Sequence, residues 1–406
     1  MTGIAVTGIG VISSIGVGRD IFWENCRKAQ SGIKRINSFD TKSFRSNIAA
    51  FVEGFDPASF MPPMSYRRMS RISRMAVAAS IEALNDSGLK LDSMDRERIG
   101  VIVGTAYGSS SHVDEFYLSL LRDGPRGAQP FLFPEIVPNA LASHIAIFHN
   151  ITGPNNTFCQ NDISAENAIL YAWELLSRNI VDVVIVGGAD EVSETLYSCY
   201  DAVRALNNFR VDNDEPVFPE TSSGLVLGEG AGVLVMERLK SALERNAKIY
   251  GTLASGIITG GITPNGHYEA SGIEIGRAVT QALEKAGIDP YEIGHVNVSA
   301  NFSSELDRIE YGQLKKIFMN HLDITGVTPL KYLIGNFGGA GIIRSAAVLL
   351  SLYNQLPLPT VSAEILGSES HEKQKWDVPD LKNIRKALMT STTFGGASAC
   401  LVFSGY

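Results

Sequence analysis

Cysteine is scarce in this chain. Its 406 residues hold four, Cys26, Cys159, Cys199 and Cys400, none of them paired as CxxC, and the seven histidines are just as dispersed. No Cys/His cluster exists to hold a structural zinc ion. Basic charge is also in deficit: 35 Lys and Arg face 43 Asp and Glu, for a net charge of −8. That argues against a general nucleic-acid binder, which needs a basic face. No apolar run approaches the ~20 residues that span a bilayer. The first residues, Met1 to Val6, start directly as a strand with no basic stretch ahead of an apolar one, so no signal peptide is read. Together these absences predict a reduced, cytoplasmic protein with no metal, no cofactor, no membrane and no nucleic acid.

What is present is ordinary globular chemistry, 45% hydrophobic and 19% charged, with 39 glycines. The length suits one large or two medium domains. The most informative stretch runs from Gly153 to Ala165. A short polar strand, Asn155 to Gln160, enters a turn. A helix from Ile163 to about Leu176 follows, with Ala165, Ala168, Leu170, Ala172 and Leu176 as its apolar body. A strand apolar enough for burial on both faces, Val181 to Val186, leads to Gly187-Gly188-Ala189-Asp190. Such a strand–elbow–helix unit aims one side chain at the positive end of a buried helix. A cysteine there would be activated.

Elsewhere, strands are predicted at Ile4–Ile9, 99–104 and 293–298, and helices at Phe22–Ala29, Pro138–Ile147 and Ile342–Leu352. Residues 37–63 read as a weakly patterned surface segment and 109–135 as an insertion. Arg67, Arg68, Arg71 and Arg74 open a helix that runs to Gly88. They form either a patch for an acidic partner or a solvated helix face. The pattern helix, Ala-Leu-x-x-x-Gly, link, Ile-Gly, strand occurs at Ile81 and again at Gln281, about 200 residues on. It predicts two similar α/β halves, 1–249 and 250–406, in layered sheets with helices between and outside.

Arg71 to Ala76, Gly187 to Asp190, Gly224 to Gly232 and Phe394-Gly395-Gly396, in that order and spacing, resemble the β-ketoacyl synthases of the thiolase fold, specifically the elongating type that works with acyl carrier protein. The resemblance covers nearly the whole chain and implies an αβαβα arrangement. Active members carry a cysteine at the elbow and two histidines in two later loops. Matched residue by residue, the cysteine position falls on Asp162. The first histidine, heading a His-Gly-Thr-x-Thr loop, falls on Ser299, with Asp307 and Glu310 kept behind it. The second falls on Asn336, with the family's lysine kept as Lys331. A carboxylate cannot replace a thiolate in thioester exchange, and Ser and Asn cannot shuttle protons near neutral pH. Asp162 is therefore expected as a helix N-cap, and Cys159 as a buried apolar cysteine. In the gate loop Thr392 and Thr393 precede Phe394 where the family has a bulky residue and glycine, which predicts a fixed loop.

A family scaffold without its triad resembles a chain length factor of a type II polyketide or polyene synthase. The resemblance implies a heterodimer with an active β-ketoacyl synthase and contact with acyl carrier protein through the four arginines. Strand pairing is expected at Asn155, Asn156, Thr157 and Phe158. Residues around Phe131, Phe133 and Ala140 are expected to reach the partner's tunnel. Two alternatives stay open: an atypical condensing or malonyl-decarboxylating enzyme using Asp162, Asn336 and Lys331, and a homodimeric acyl-binding protein.

Overall fold

The computed structural model describes residues 3–220, 223–264, 266–323, 325–362, 366, 376–378 and 384–406. Ten strands follow one path. The first five are β1 (Ile4–Ser13), β2 (Ile99–Gly104), β3 (Asn155–Phe158), β4 (Val183–Asp190) and β5 (Gly230–Arg238). The second five are β6 (Gly251–Thr259), β7 (His295–Asn297), β8 (Gly326–Thr328), β9 (Lys386–Thr392) and β10 (Ser398–Ser404). The spatial order is β8-β7-β9-β10-β6-β1-β5-β4-β2-β3. Each set of five, read from its free edge, is therefore ordered third, second, fourth, fifth, first. The directions repeat too. The second strand is parallel to the third and fourth, the fifth antiparallel to the fourth and first. The repeat read from Ile81 and Gln281 is thus a repeat of topology. The two five-strand sets join where Ile4–Val6 pairs with Gly251–Leu253.

Seven helices matter for the site: α1 (Arg71–Ser87), α2 (Ser110–Asp123), α3 (Ala140–His149), α4 (Ser164–Ser177), α5 (Ile273–Ala286), α6 (Ser304–Phe318) and α7 (Ala340–Asn354). Helix α1 covers β1, β4 and β5, and α5 covers β6 and β10. Helices α4 and α7 touch each other and both sheets. Every residue from Ala340 to Leu352 is buried, as expected of a helix apolar all round.

Two expectations are corrected and one is filled in. The helix expected to begin at the arginines is broken. A short turn covers Pro63–Tyr66, and α1 starts afresh at Arg71 because the Ser70 hydroxyl accepts from Ser73 N. The segment read as an insertion contains α2. Within the segment read as surface, Ile48, Ala49 and Ala50 are buried.

Candidate functional site

The elbow sits where β3 gives way to a tight turn, Asn161–Ile163, and then to α4. Gly104 makes this packing possible: a Cβ there would lie 2.4 Å from the carbonyl carbon of Ser164. Ser164 closes the turn. Its hydroxyl accepts from Gln160 N at 2.8 Å and donates to Asn161 O at 2.7 Å. Helix α4 itself has no side-chain N-cap, and Ala165 N donates to Gly338 O at 3.3 Å. The N-cap expected of Asp162 is therefore wrong. A small hydroxyl two residues later meets the turn's free groups, and the Asp162 carboxylate points elsewhere.

It points to the second half. Asn336 Nδ2 donates to Asp162 Oδ1 at 2.8 Å, and Asn301 Nδ2 donates to Asn336 Oδ1 at 3.3 Å and to Tyr268 Oη at 3.1 Å. Asn336 is held in place by Gly224–Gly232. Its N–H donates to Val226 O at 2.7 Å and its carbonyl accepts from Gly228 N at 3.2 Å. Gly228 is required there, since a Cβ would lie 2.1 Å from Ile334 O. Ser299 accepts from Thr392 N at 3.0 Å. Asp162, Ser299, Lys331 and Asn336 are all buried, none more than 6% exposed. The four positions matched to the family's reactive groups thus converge, and none is a thiol or an imidazole.

Beneath them lies a buried charge network of which the sequence reading named Asp307 and Glu310 but missed Arg344 and Glu166. Arg344, fully buried on α7, donates Nε to Asn297 Oδ1 (2.8 Å) and Nη1 to Ser391 Oγ (2.7 Å). Its Nη2 donates to Asn297 O (3.0 Å), Val298 O (2.9 Å) and Thr390 O (2.7 Å). Glu166 lies 3.9 Å from it and accepts from Ser391 Oγ. Glu310 accepts from Ser299 N at 2.8 Å and Ala300 N at 2.9 Å. Asp307 accepts from Asn301 N at 3.0 Å and from Tyr332 Oη at 2.6 Å. Burial pushes the Asp307 carboxyl up to about 7 and that of Glu166 upward. Lys331 Nζ has no hydrogen-bond partner among the described residues. Burial lowers its pKa, and the Asp162 charge pulls it partly back. The lone Arg of α7 and a Glu among the small residues that open α4 were the available signals.

The gate loop is tied down. Thr393 N donates to Ala397 O at 3.0 Å and Gly395 N to His267 O at 3.2 Å, and Phe394 packs on Tyr268. Strand β3 is the open edge of its sheet. Val101 N donates to Pro154 O and Thr105 N to Phe158 O, so even positions face β2 and odd ones face outward. The outward N–H of Thr157 is met only by its neighbour, Asn156 Oδ1, at 2.8 Å. Asn155 and Asn156 are exposed, Thr157 and Phe158 half-buried. Phe131 and Phe133 are exposed, whereas Ala140 is buried at the start of α3. Cys159 is exposed, which corrects the expectation of a buried cysteine: it follows the edge strand, where nothing in the chain covers it. Of the four arginines, Arg67 and Arg68 are exposed. Arg71 pairs with Glu229 at 2.7 Å, and Arg74 donates to Met69 O at 2.9 Å, so only half the patch is free.

No described helix is long and apolar enough to cross a membrane. The 3-oxoacyl-[acyl-carrier-protein] synthase 2 of Synechocystis is 29% identical over 414 residues, covering 99% of this chain and 98% of its own length. The structure of the ishigamide ketosynthase/chain length factor superposes with a TM-score of 0.86 at 25% identity, covering 100% of this chain and 99% of the other. AntDE:AntF, a type II polyketide acyl carrier protein in complex with its ketosynthase bound to the hexaketide, shares the fold. Its TM-score is 0.87 at 21% identity, covering 100% of this chain and 99% of that one. Residues 1–242 match the beta-ketoacyl synthase N-terminal domain and 250–364 the beta-ketoacyl synthase C-terminal domain. On that match, and on its duplicated thiolase-type sheets, this chain belongs to the β-ketoacyl synthase family.

Proposed function

We propose that this chain is a catalytically silent member of its family, a chain length factor that pairs with an active β-ketoacyl synthase and shapes the tunnel for a polyketide or polyene chain carried on acyl carrier protein. The observation that carries this reading is the elbow itself. Asp162, Asn336 and Asn301 satisfy one another, and no thiolate or imidazole stands among them. An acyl thioester needs a nucleophile and a proton shuttle, and these groups supply neither. The likeness to the ishigamide ketosynthase/chain length factor supports the pairing. The AntDE:AntF complex supports contact with a carrier protein, for which Arg67 and Arg68 are the free cations.

The open edge supports a partner on β3. An unpaired edge strand is an aggregation hazard unless another strand covers it. Phe131 and Phe133 stand exposed as candidates to enter the partner's tunnel. Their bulk would set chain length by filling volume. A malonyl decarboxylase built on Lys331 is the second reading, favoured only by the unpartnered Nζ; against it, the Asn336 amide is engaged at both ends.

Two measurements test the proposal. Intact mass after incubation with acyl carrier protein thioester should show no acyl adduct; a stable adduct on Cys159 would refute silence. Thr157→Pro removes the outward donor and leaves the ladder to β2 intact. Size-exclusion chromatography of the co-expressed pair should then show separated subunits. Co-elution with full product formation would place the interface elsewhere.

A further inference from the structure

The elbow is sealed as well as unreactive, and one residue does the sealing. Gly266 and His267 lie exposed in a surface loop, yet Tyr268, the next residue, is 2% exposed. Its ring turns inward into an apolar socket formed by Ile275 of α5 and by Leu306 and Ile309 of α6. Phe394 of the gate loop packs against it, with centroids 4.6 Å apart. Its hydroxyl accepts from Asn301 Nδ2, the donor that also reaches Asn336 and, through it, Asp162. The loop is clipped on both sides of the ring, by Gly261 N to Gly396 O at 3.2 Å and by Gly395 N to His267 O at 3.2 Å. Burial and the nearby Asp162 charge raise the phenol's pKa, so it stays protonated.

We propose that Tyr268 is a built-in plug: it fills the approach from the surface loop to Asp162, so that the thioester arm of a carrier protein cannot reach the elbow of this subunit. A phenol ring fills space that a flexible arm would need. Behind it, Asn301 Nδ2 is shared between Tyr268 Oη and Asn336 Oδ1, and Asn336 Nδ2 is turned to Asp162. Tyr268 is thus an access-determining residue. The inference rests on the geometry of this chain alone, so it outlives the chain-length-factor reading if no ketosynthase partner is found.

The test places a thiol at the elbow and asks who can reach it. Asp162→Cys is made in a background of Cys159→Ser and Cys199→Ser, which removes the two exposed native thiols; Cys26 and Cys400 are buried. Labelling by N-ethylmaleimide is followed by peptide mass, on the protein as purified, alone or with its co-purifying partner. The introduced thiol should resist the reagent in the native state and react after denaturation. Adding Tyr268→Thr, which keeps a hydroxyl for Asn301 and removes the ring, should speed native labelling at least ten-fold. Tyr268→Phe, which keeps the ring, should not. If Tyr268→Thr fails to fold, Tyr268→Leu takes its place. Equal labelling with and without the ring overturns the proposal. Fast labelling in both would show that the elbow is already open; slow labelling in both, in a folded protein, would show that something else closes it.

Discussion

Replacing Asp162 separates a hydrogen bond from a charge. Asp162→Ala removes the acceptor at 2.8 Å from Asn336 Nδ2 and leaves that buried N–H without a partner. A bond to a charged group contributes about 1.5–3 kcal/mol net, and an orphaned buried donor costs a similar amount. Relief from burying a carboxylate offsets part of this, so we expect a loss of about 2–3 kcal/mol. Unfolding entropy of about 2.1 cal/mol/K per residue over 406 residues converts that to a fall in Tm of about 2–4 °C. Asp162→Asn keeps an acceptor oxygen and should lose less than about 1 kcal/mol. Differential scanning calorimetry at fixed protein concentration reads both variants, because association also moves Tm. Product formation by the assembled complex should stay within a few-fold of wild type for either. If Asn destabilises as much as Ala, the charge facing Lys331, and not the bond, holds the elbow. If neither shifts Tm, the Asp162–Asn336 contact has no energetic role. Loss of product by a well-assembled Asp162→Asn complex would mean that Asp162 has a chemical role.

Arg344→Met should cost more than any other substitution near the site, upwards of about 4 kcal/mol, because it strands five buried acceptors; soluble yield and Tm check this, and a shift under 2 °C would contradict it. Against the opposing cost of burial, bonds from His144 and Ser70 N hold the Glu135 carboxyl down at about 2. Its stabilisation is therefore complete above the ordinary 4.5 and lost as pH falls toward 2, so Glu135→Gln should flatten Tm against pH over that window. Asp307, pushed up by burial to about 7, acts in the opposite sense: its contribution is complete below the ordinary 3.8 and lost as pH rises through 7. Asp307→Asn should lessen the decline in Tm between those values. Cys159, exposed beside β3, should react with a thiol reagent in the isolated chain and be protected in the complex; equal reactivity in both would argue against an interface on that edge.

Much of the fold was legible because its signals are local. Strands buried on both faces read as continuous apolar runs, and the β2 and α4 assignments needed nothing more. The repeat was visible in two Ala-Leu-x-x-x-Gly helices, though not the shared strand order behind it. Misreadings came where one signal serves two purposes. Asp at a helix start is a cap signature, but here the Asp162 carboxylate is taken by Asn336 and α4 has no side-chain cap. Helix α2 escaped notice because Tyr117, Leu118 and Leu121 are exposed, so its apolar stripe matches no core. The convergence of Asp162, Ser299, Lys331 and Asn336 was legible only through the family resemblance. The contact between Arg344 and Glu166 joins residues far apart in sequence, and no spacing rule reaches that far.

The acceptors of Arg344 also fix an order of events during synthesis. Two of its partners, Thr390 and Ser391, lie near the end of the chain, and β10 after them fills the gap between β9 and β6. While these residues are still inside the ribosome, α7 has been made but its guanidinium has only the Asn297 and Val298 oxygens to receive it. Burying that charge only partly paired is costly, so α7 does not settle fully between the sheets until β9 has been made. A chain cut before Thr390 would hold both loops of the elbow but lack the two acceptors on β9 that complete the guanidinium's site. Such a product would keep its central helix solvated and stand open to proteolysis.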